Sequence, residues 1–159
     1  MAGYLAIYLN DQLALGVGWR EVARRAQREN EGSELGEALE RVATGIAEDV
    51  QTFESLMRRL GVRISPVKPR LAVAAERVGR LKPNGRVRGY SPLSRFVELD
   101  FLAMGIEGKK ILWANLRDLA GVPERLPDVD FDALIERAQQ QREALEPFRE
   151  RAGRDALAL

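Results

Sequence analysis

Residues 33–60 read SELGEALERVATGIAEDVQTFESLMRRL, and the spacing of their apolar residues decides the fold class. Leu35, Leu39, Val42, Ile46, Val50, Phe53, Met57 and Leu60 recur at three- and four-residue steps, which is the repeat of one face of an α-helix. Ser33 stands where an N-cap is needed, Glu34 and Glu37 follow in the first turn, and Gly61 closes the stripe. Upstream, Leu5, Tyr8, Leu9, Leu15, Trp19, Val22, Ala23 and Ala26 repeat the pattern over about residues 4–31, with Asn30-Glu31-Gly32 as the stop. The short link makes these two helices antiparallel neighbours.

Downstream the character changes. Residues 61–92, with Pro66, Pro69, Pro83 and the turn-like Lys82-Pro83-Asn84-Gly85, form a long crossover that carries one short amphipathic helix around Arg70 to Arg80. A third helix is expected over about 93–120, opened at Ser91-Pro92 and Ser94 and closed by Gly121 and Pro123. Gly105 and Gly108 interrupt it, and their return is close backbone approach, with Gly16 and Gly18 as opposing positions. A fourth helix over about 130–152 is capped by Asp128 or Asp130 and carries Phe131, Leu134, Ile135, Ala138, Leu145, Phe148 and Ala152 inward. Pro147 is expected to kink it or end it early, and the tail from Gly153 to fray.

The expectation is one all-α domain over 1–159, an antiparallel four-helix bundle with a long basic crossover between helices two and three, the connectivity of ferritin-like folds. An up-down bundle with a flap fits the same pattern. With no cysteine and no histidine among 159 residues, thiolate nucleophiles, disulfides, Ser-His-Asp triads and imidazole metal ligands are all excluded. The first thirty residues lack a leader pattern and no long apolar run occurs, which predicts a cytoplasmic protein. Gly105-Ile106-Glu107-Gly108-Lys109-Lys110 lacks the spacing of a phosphate loop and reads as a packing device. Trp19 and Trp113 fall on apolar stripes and read as core.

Charge is unevenly placed. Residues 1–57 hold 5 basic and 10 acidic side chains, 58–95 hold 11 and 1, and 96–159 hold 9 and 13. The middle belt comprises Arg58, Arg59, Arg63, Lys68, Arg70, Arg77, Arg80, Lys82, Arg86, Arg88 and Arg95. It either wraps the two acidic hairpins or attracts nucleic acid or an anionic membrane surface.

Polar residues also interrupt the apolar stripes near mid-helix. They are Gln12 between Tyr8 and Leu15, Asp49 between Ile46 and Phe53, Asp100 and Glu107 flanking Met104, and Gln141 between Ala138 and Leu145. Buried carboxylates must be paired, so a central network is expected, with Lys110 or Arg142 as counter-charge. Three carboxylates and two amides also suit a divalent metal such as iron or manganese, while a helix register displaced by one position would put some of them at the boundary. Glu48-Asp49-Val50-Gln51 and Glu136-Arg137-Ala138-Gln139 have the Glu-x-x-His spacing of di-metal helices with glutamine in place of histidine. Tyr4 and Tyr8 are candidate contacts for a homodimer through helix one.

Tyr-Leu-Asn-Asp-Gln-Leu-Ala at 8–14, Ala47-Glu48-Asp49, Ser91-Pro92-Leu93-Ser94-Arg95 and Gly105-Ile106-Glu107-Gly108-Lys109 resemble bacterial ferritin-like proteins related to rubrerythrin and bacterioferritin. The resemblance spans about residues 4–150 and implies the bundle architecture. Members that keep the chemistry place glutamates and histidines on all four helices, whereas Gln12, Gln51 and Gln139 or Gln141 stand here where a ligand would be sought. The expected function is therefore that of a non-catalytic structural or interaction protein. The alternatives are a carboxylate-based metal-binding or iron-handling protein using Asp49, Asp100, Glu107, Gln12 and Gln141, and a binder of nucleic acid or anionic lipid through 58–95.

Overall fold

The computed structural model describes residues 3–79 and 90–158, of which 76–79 by their backbone alone. Arg77's side chain, Arg80, Lys82, Arg86, Arg88 and the turn expected at 82–85 thus lie outside the described residues. All regular structure among the described residues is helical: α1 Tyr4–Glu29, α2 Glu34–Arg59, α3 Lys68–Gly79, α4 Pro92–Asp118, α5 Val122–Arg125 and α6 Phe131–Leu157. None of these helices is long and apolar enough to cross a membrane.

Capping chemistry places the helix starts. Ser33 accepts from the Gly36 amide at 3.1 Å, Ser91 from Ser94 at 3.0 Å and Asp130 from Ala133 at 2.9 Å, each satisfying an amide that the helix leaves unpaired. The turn into α2 is so tight that a Cβ on Gly36 would sit 2.2 Å from the Asn30 carbonyl oxygen, so only glycine fits.

α1 packs along α2 and α4 along α6, while α1 also meets α4 and α2 also meets α6, so the four long helices close a ring; α3 lies on α1. Two apolar clusters fill the ring. One gathers Leu9, Leu13, Phe53, Met57, Trp113 and Phe131, the other Leu39, Ile46, Leu99, Leu102, Ile106 and Leu145. The boundary between them falls between Ile46 and Val50 on α2 and between Ile106 and Leu112 on α4. Asp49 and Lys109 occupy those two gaps.

Five expectations need correction. α4 runs unbroken through Gly105 and Gly108. A Cβ on Gly105 would lie 2.5 Å from the Trp19 ring, whereas Gly16 faces Val50 and Gly18 faces Ala72, so the close approach on α1 is to an indole and not to another glycine. α6 neither ends at Pro147 nor frays at Gly153: it continues to Leu157. Pro147 lies on the exposed face, where its ring meets no packed neighbour helix, and Ala152 and Gly153 are buried, a Cβ on Gly153 falling 3.0 Å from the Phe96 ring. Trp113 is core at 1% exposure, but Trp19 is only half-buried.

Candidate functional site: a buried charge cluster beneath an apolar cleft

The interruption at Asp49 has a definite structural meaning. Its carboxylate is 3% exposed, accepts from the Lys109 ammonium through Oδ2 at 2.5 Å and from the Gln141 amide at 3.1 Å, and pairs through Oδ1 with the Arg137 guanidinium. Lys109 also donates to the Gln141 side-chain oxygen. Three helices thereby contribute one closed cluster: α2 supplies the anion, α4 one cation, and α6 a second cation with the amide one turn on. Gly45, one turn before Asp49, makes the room, since a Cβ there would stand 2.6 Å from Gln141 Nε2.

Two cations face one buried carboxylate, and the second of them, Arg137, also meets Glu48, 3.7 Å away and 57% exposed. Burial holds the Lys109 ammonium below the ordinary lysine value and the Arg137 charge pushes the same way, against the pull of Asp49.

Above this cluster an apolar cleft of about 210 Å³ opens between α1 and α4. Leu13, Trp19, Phe53, Ile106 and Trp113 wall it, Gln12, Asp49 and Lys109 supply its polar lining, and the exposed Leu15 and Met104 edge it. The indole Nε1 of Trp113 is fully buried and makes no hydrogen bond.

The five residues expected to converge do not. Asp49 and Gln141 meet, and Gln12 is half-buried beside the cleft. Asp100, 42% exposed, pairs with Arg149 at 3.0 Å, and Glu107, 48% exposed, pairs with Lys110 at 3.2 Å and Arg142 at 3.7 Å. Lys110 and Arg142 therefore neutralise the surface carboxylate, and the counter-charges of the centre are Lys109 and Arg137. In the two Glu-x-x-Gln segments Glu48, Gln51 and Glu136 are exposed, and Gln139 serves Lys110 and Glu143. Among the described residues no group of three or more carboxylates is placed to hold a metal ion. The donor set does not fit one either, because both oxygens of the only buried carboxylate in the centre already carry cations.

The described part of the basic belt is largely answered from within the chain. Arg59 pairs with Asp128, Lys68 with Asp11 and Arg58 with Glu54 at 3.6 Å, while Arg63 and Arg70 are exposed. Arg95 donates to Asn30 at 3.1 Å and lies over the Tyr90 ring. On α1, Tyr4 is 93% exposed, but Tyr8 turns inward and accepts from Asn115 at 3.1 Å.

A second buried carboxylate lies nearer the α1–α2 turn. Glu98 takes the Arg25 guanidinium through Oε1 at 2.5 Å, and its Oε2 is buried without a hydrogen bond. Burial pushes the Glu98 carboxyl above its ordinary value, against the pull of Arg25 and of a hydrogen bond from Tyr90, and burial together with the Glu98 charge pushes the Tyr90 phenol up.

Compared with family models, with curated proteins and with solved structures, the chain matches none of them.

Proposed function

We propose that this protein is a cytoplasmic ferritin-like antiparallel four-helix bundle of the bacterial kind that acts by binding rather than by catalysis. In this reading a charge cluster stands where relatives of that class keep their metal. One observation carries it: Lys109 and Arg137 take the two oxygens of Asp49. A divalent cation entering there would meet two positive charges and would have to strand a buried ammonium, which burial of a charge makes costly. The ring of four long helices with α3 lodged in the long link between α2 and α4 supports the ferritin-like connectivity.

The test is elemental analysis of protein purified without chelator, beside thermal melts with added iron, manganese and zinc. The expected result is less than a stoichiometric amount of any metal and a melt that ignores all three cations. A near-stoichiometric metal whose removal lowers the melting temperature overturns the reading in favour of the carboxylate metal site, since a ligand that binds only the folded state must stabilise it.

A further inference from the structure

We propose that the face shared by α1 and α4 is where a second copy of this chain docks, in a two-fold contact built on Leu15, Trp19, Phe101, Met104 and Ile111. α4 is apolar on two sides. Leu99, Leu102, Ile106, Trp113 and Leu116 point inward, while a second stripe of Phe101, Met104, Gly108 and Ile111 stays exposed. The steps of three, four and three residues along that stripe are those of a coiled-coil seam, a pattern that a helix covered on one side only does not need.

α1 lies antiparallel beside the stripe. Trp19 stands against Phe101 with ring centres 5.7 Å apart, and Tyr8 meets Asn115 at 3.1 Å, so Leu15 falls between these two crossbars, where it lines the cleft together with Met104 and Gly108. The cleft, about 210 Å³, thus opens in the middle of the face, and the exposed Phe101 and Ile111 stand on either side of it along α4. A surface that carries both a hollow and projecting side chains is self-complementary. That is the condition for a two-fold contact, in which each copy's projection enters the other's hollow.

Extent and charge favour a second copy over other occupants. α1 has 26 residues and α4 has 27, so at about 1.5 Å per residue and about 10 Å per helix the face measures roughly 800 Å², the share each partner gives to a stable interface. Among the described residues the charges that flank it are answered within the chain, Asp11 by Lys68, Asp100 by Arg149, and Glu107 by Lys110 and Arg142. A two-fold axis sets a surface against itself, which an unpaired charge would oppose and this neutral stripe permits. Nucleic acid or an anionic membrane would find no cation on the stripe to hold it.

The contact stands apart from the metal reading above, since it uses no member of the Asp49 cluster and its test reads mass instead of metal content. Sedimentation velocity of the full chain across the micromolar range is expected to show a species of twice the 17.8 kDa chain mass that dissociates on dilution. Met104→Glu and Ile111→Glu each replace an exposed side chain, so the core is untouched, and each brings two like charges into one contact. Either is expected to weaken association about hundredfold or more and to leave a monomer with unchanged helical circular dichroism. Leu157→Glu, at an exposed leucine that ends α6, is expected to keep the dimer. The proposal is overturned if the parent chain keeps monomer mass throughout the range, if its dimer survives both face variants, or if Leu157→Glu dissociates it as they do.

Discussion

Asp49 and Glu98 are both buried acids on long helices, yet the first has two cations and an amide on its two oxygens while the second shares one arginine and leaves an oxygen bare. The difference lies in the neighbours each helix brings. Around Asp49, α4 and α6 both contribute from the gap between the two apolar clusters, so donors arrive from two sides. Around Glu98 the apolar cluster of Leu99 and Leu102 closes in, α1 supplies Arg25 by an ion pair, and the neutral Tyr90 phenol adds a hydrogen bond without a charge. Burial by itself therefore does not set the state of a carboxylate; the count of facing cations does. One centre ends with both carboxylate oxygens answered and the other with a buried oxygen open.

The sharpest way to break this contrast is Asp49→Ala, which strands the Lys109 ammonium with no anion. Removing one member of a buried pair costs 3–5 kcal/mol, and about 3 kcal/mol is expected here because Arg137 keeps 37% of its side chain in water. The melting temperature should then fall by about 6–12 °C for a chain of this length. A drop smaller than that of a surface variant such as Asp132→Ala would mean that the cluster is solvated and the contrast with Glu98 is false.

Around Glu98 the order comes from an amide. Asn30, 6% exposed, donates to the Ala26 carbonyl at 2.8 Å and the Tyr90 hydroxyl at 3.0 Å and accepts from Arg95 at 3.1 Å. Asn30→Ala removes all three and is expected to cost about 1–3 kcal/mol, measured by urea denaturation. A loss as large as that of Asp49→Ala would show that the amide, and not charge pairing, dominates the buried polar energetics of this fold.

How much of this was legible follows from which residues anchor each helix. The stripe of α2 and the capping serines are local features, and the helix order could be read from them. Asp49 and Gln141 were also readable, because each breaks an apolar run whose other members are buried. Asp100 and Glu107 were misplaced because the inner face of α4 was set by Met104, which is 52% exposed at the edge of the cleft. The true inner face runs through Leu99, Leu102, Ile106 and Trp113. Lys109 escaped because a long side chain reaches the centre from the border of that face, a reach that periodicity does not encode. Arg137 had a readable signal, since it precedes Gln141 by one turn on the same face of α6.

The smallest effects, and the most direct readout of the contrast, are in pH. Glu98 has its folded pKa above the ordinary value of 4.5, so between those two points the folded chain holds a proton that the unfolded chain has lost. Stability from this group is present at low pH and is lost as pH rises through the folded value. Lys109 is displaced the other way, below 10.5, so in its window the unfolded chain holds the extra proton and stability rises with pH. That rise must be read below pH 10, since Tyr90, raised from 10.0, acts in the opposite sense above it. Toward stronger acid Glu146, held down to about 2 by Arg149 and Arg142, reverses the gain, because its stabilisation fades as pH falls below 4.5. Melts across pH should therefore show a gain on mild acidification that Glu98→Gln removes and a gain on mild alkalinisation that Lys109→Met removes. If both slopes survive both variants, the two buried centres do not differ in the way their geometry requires.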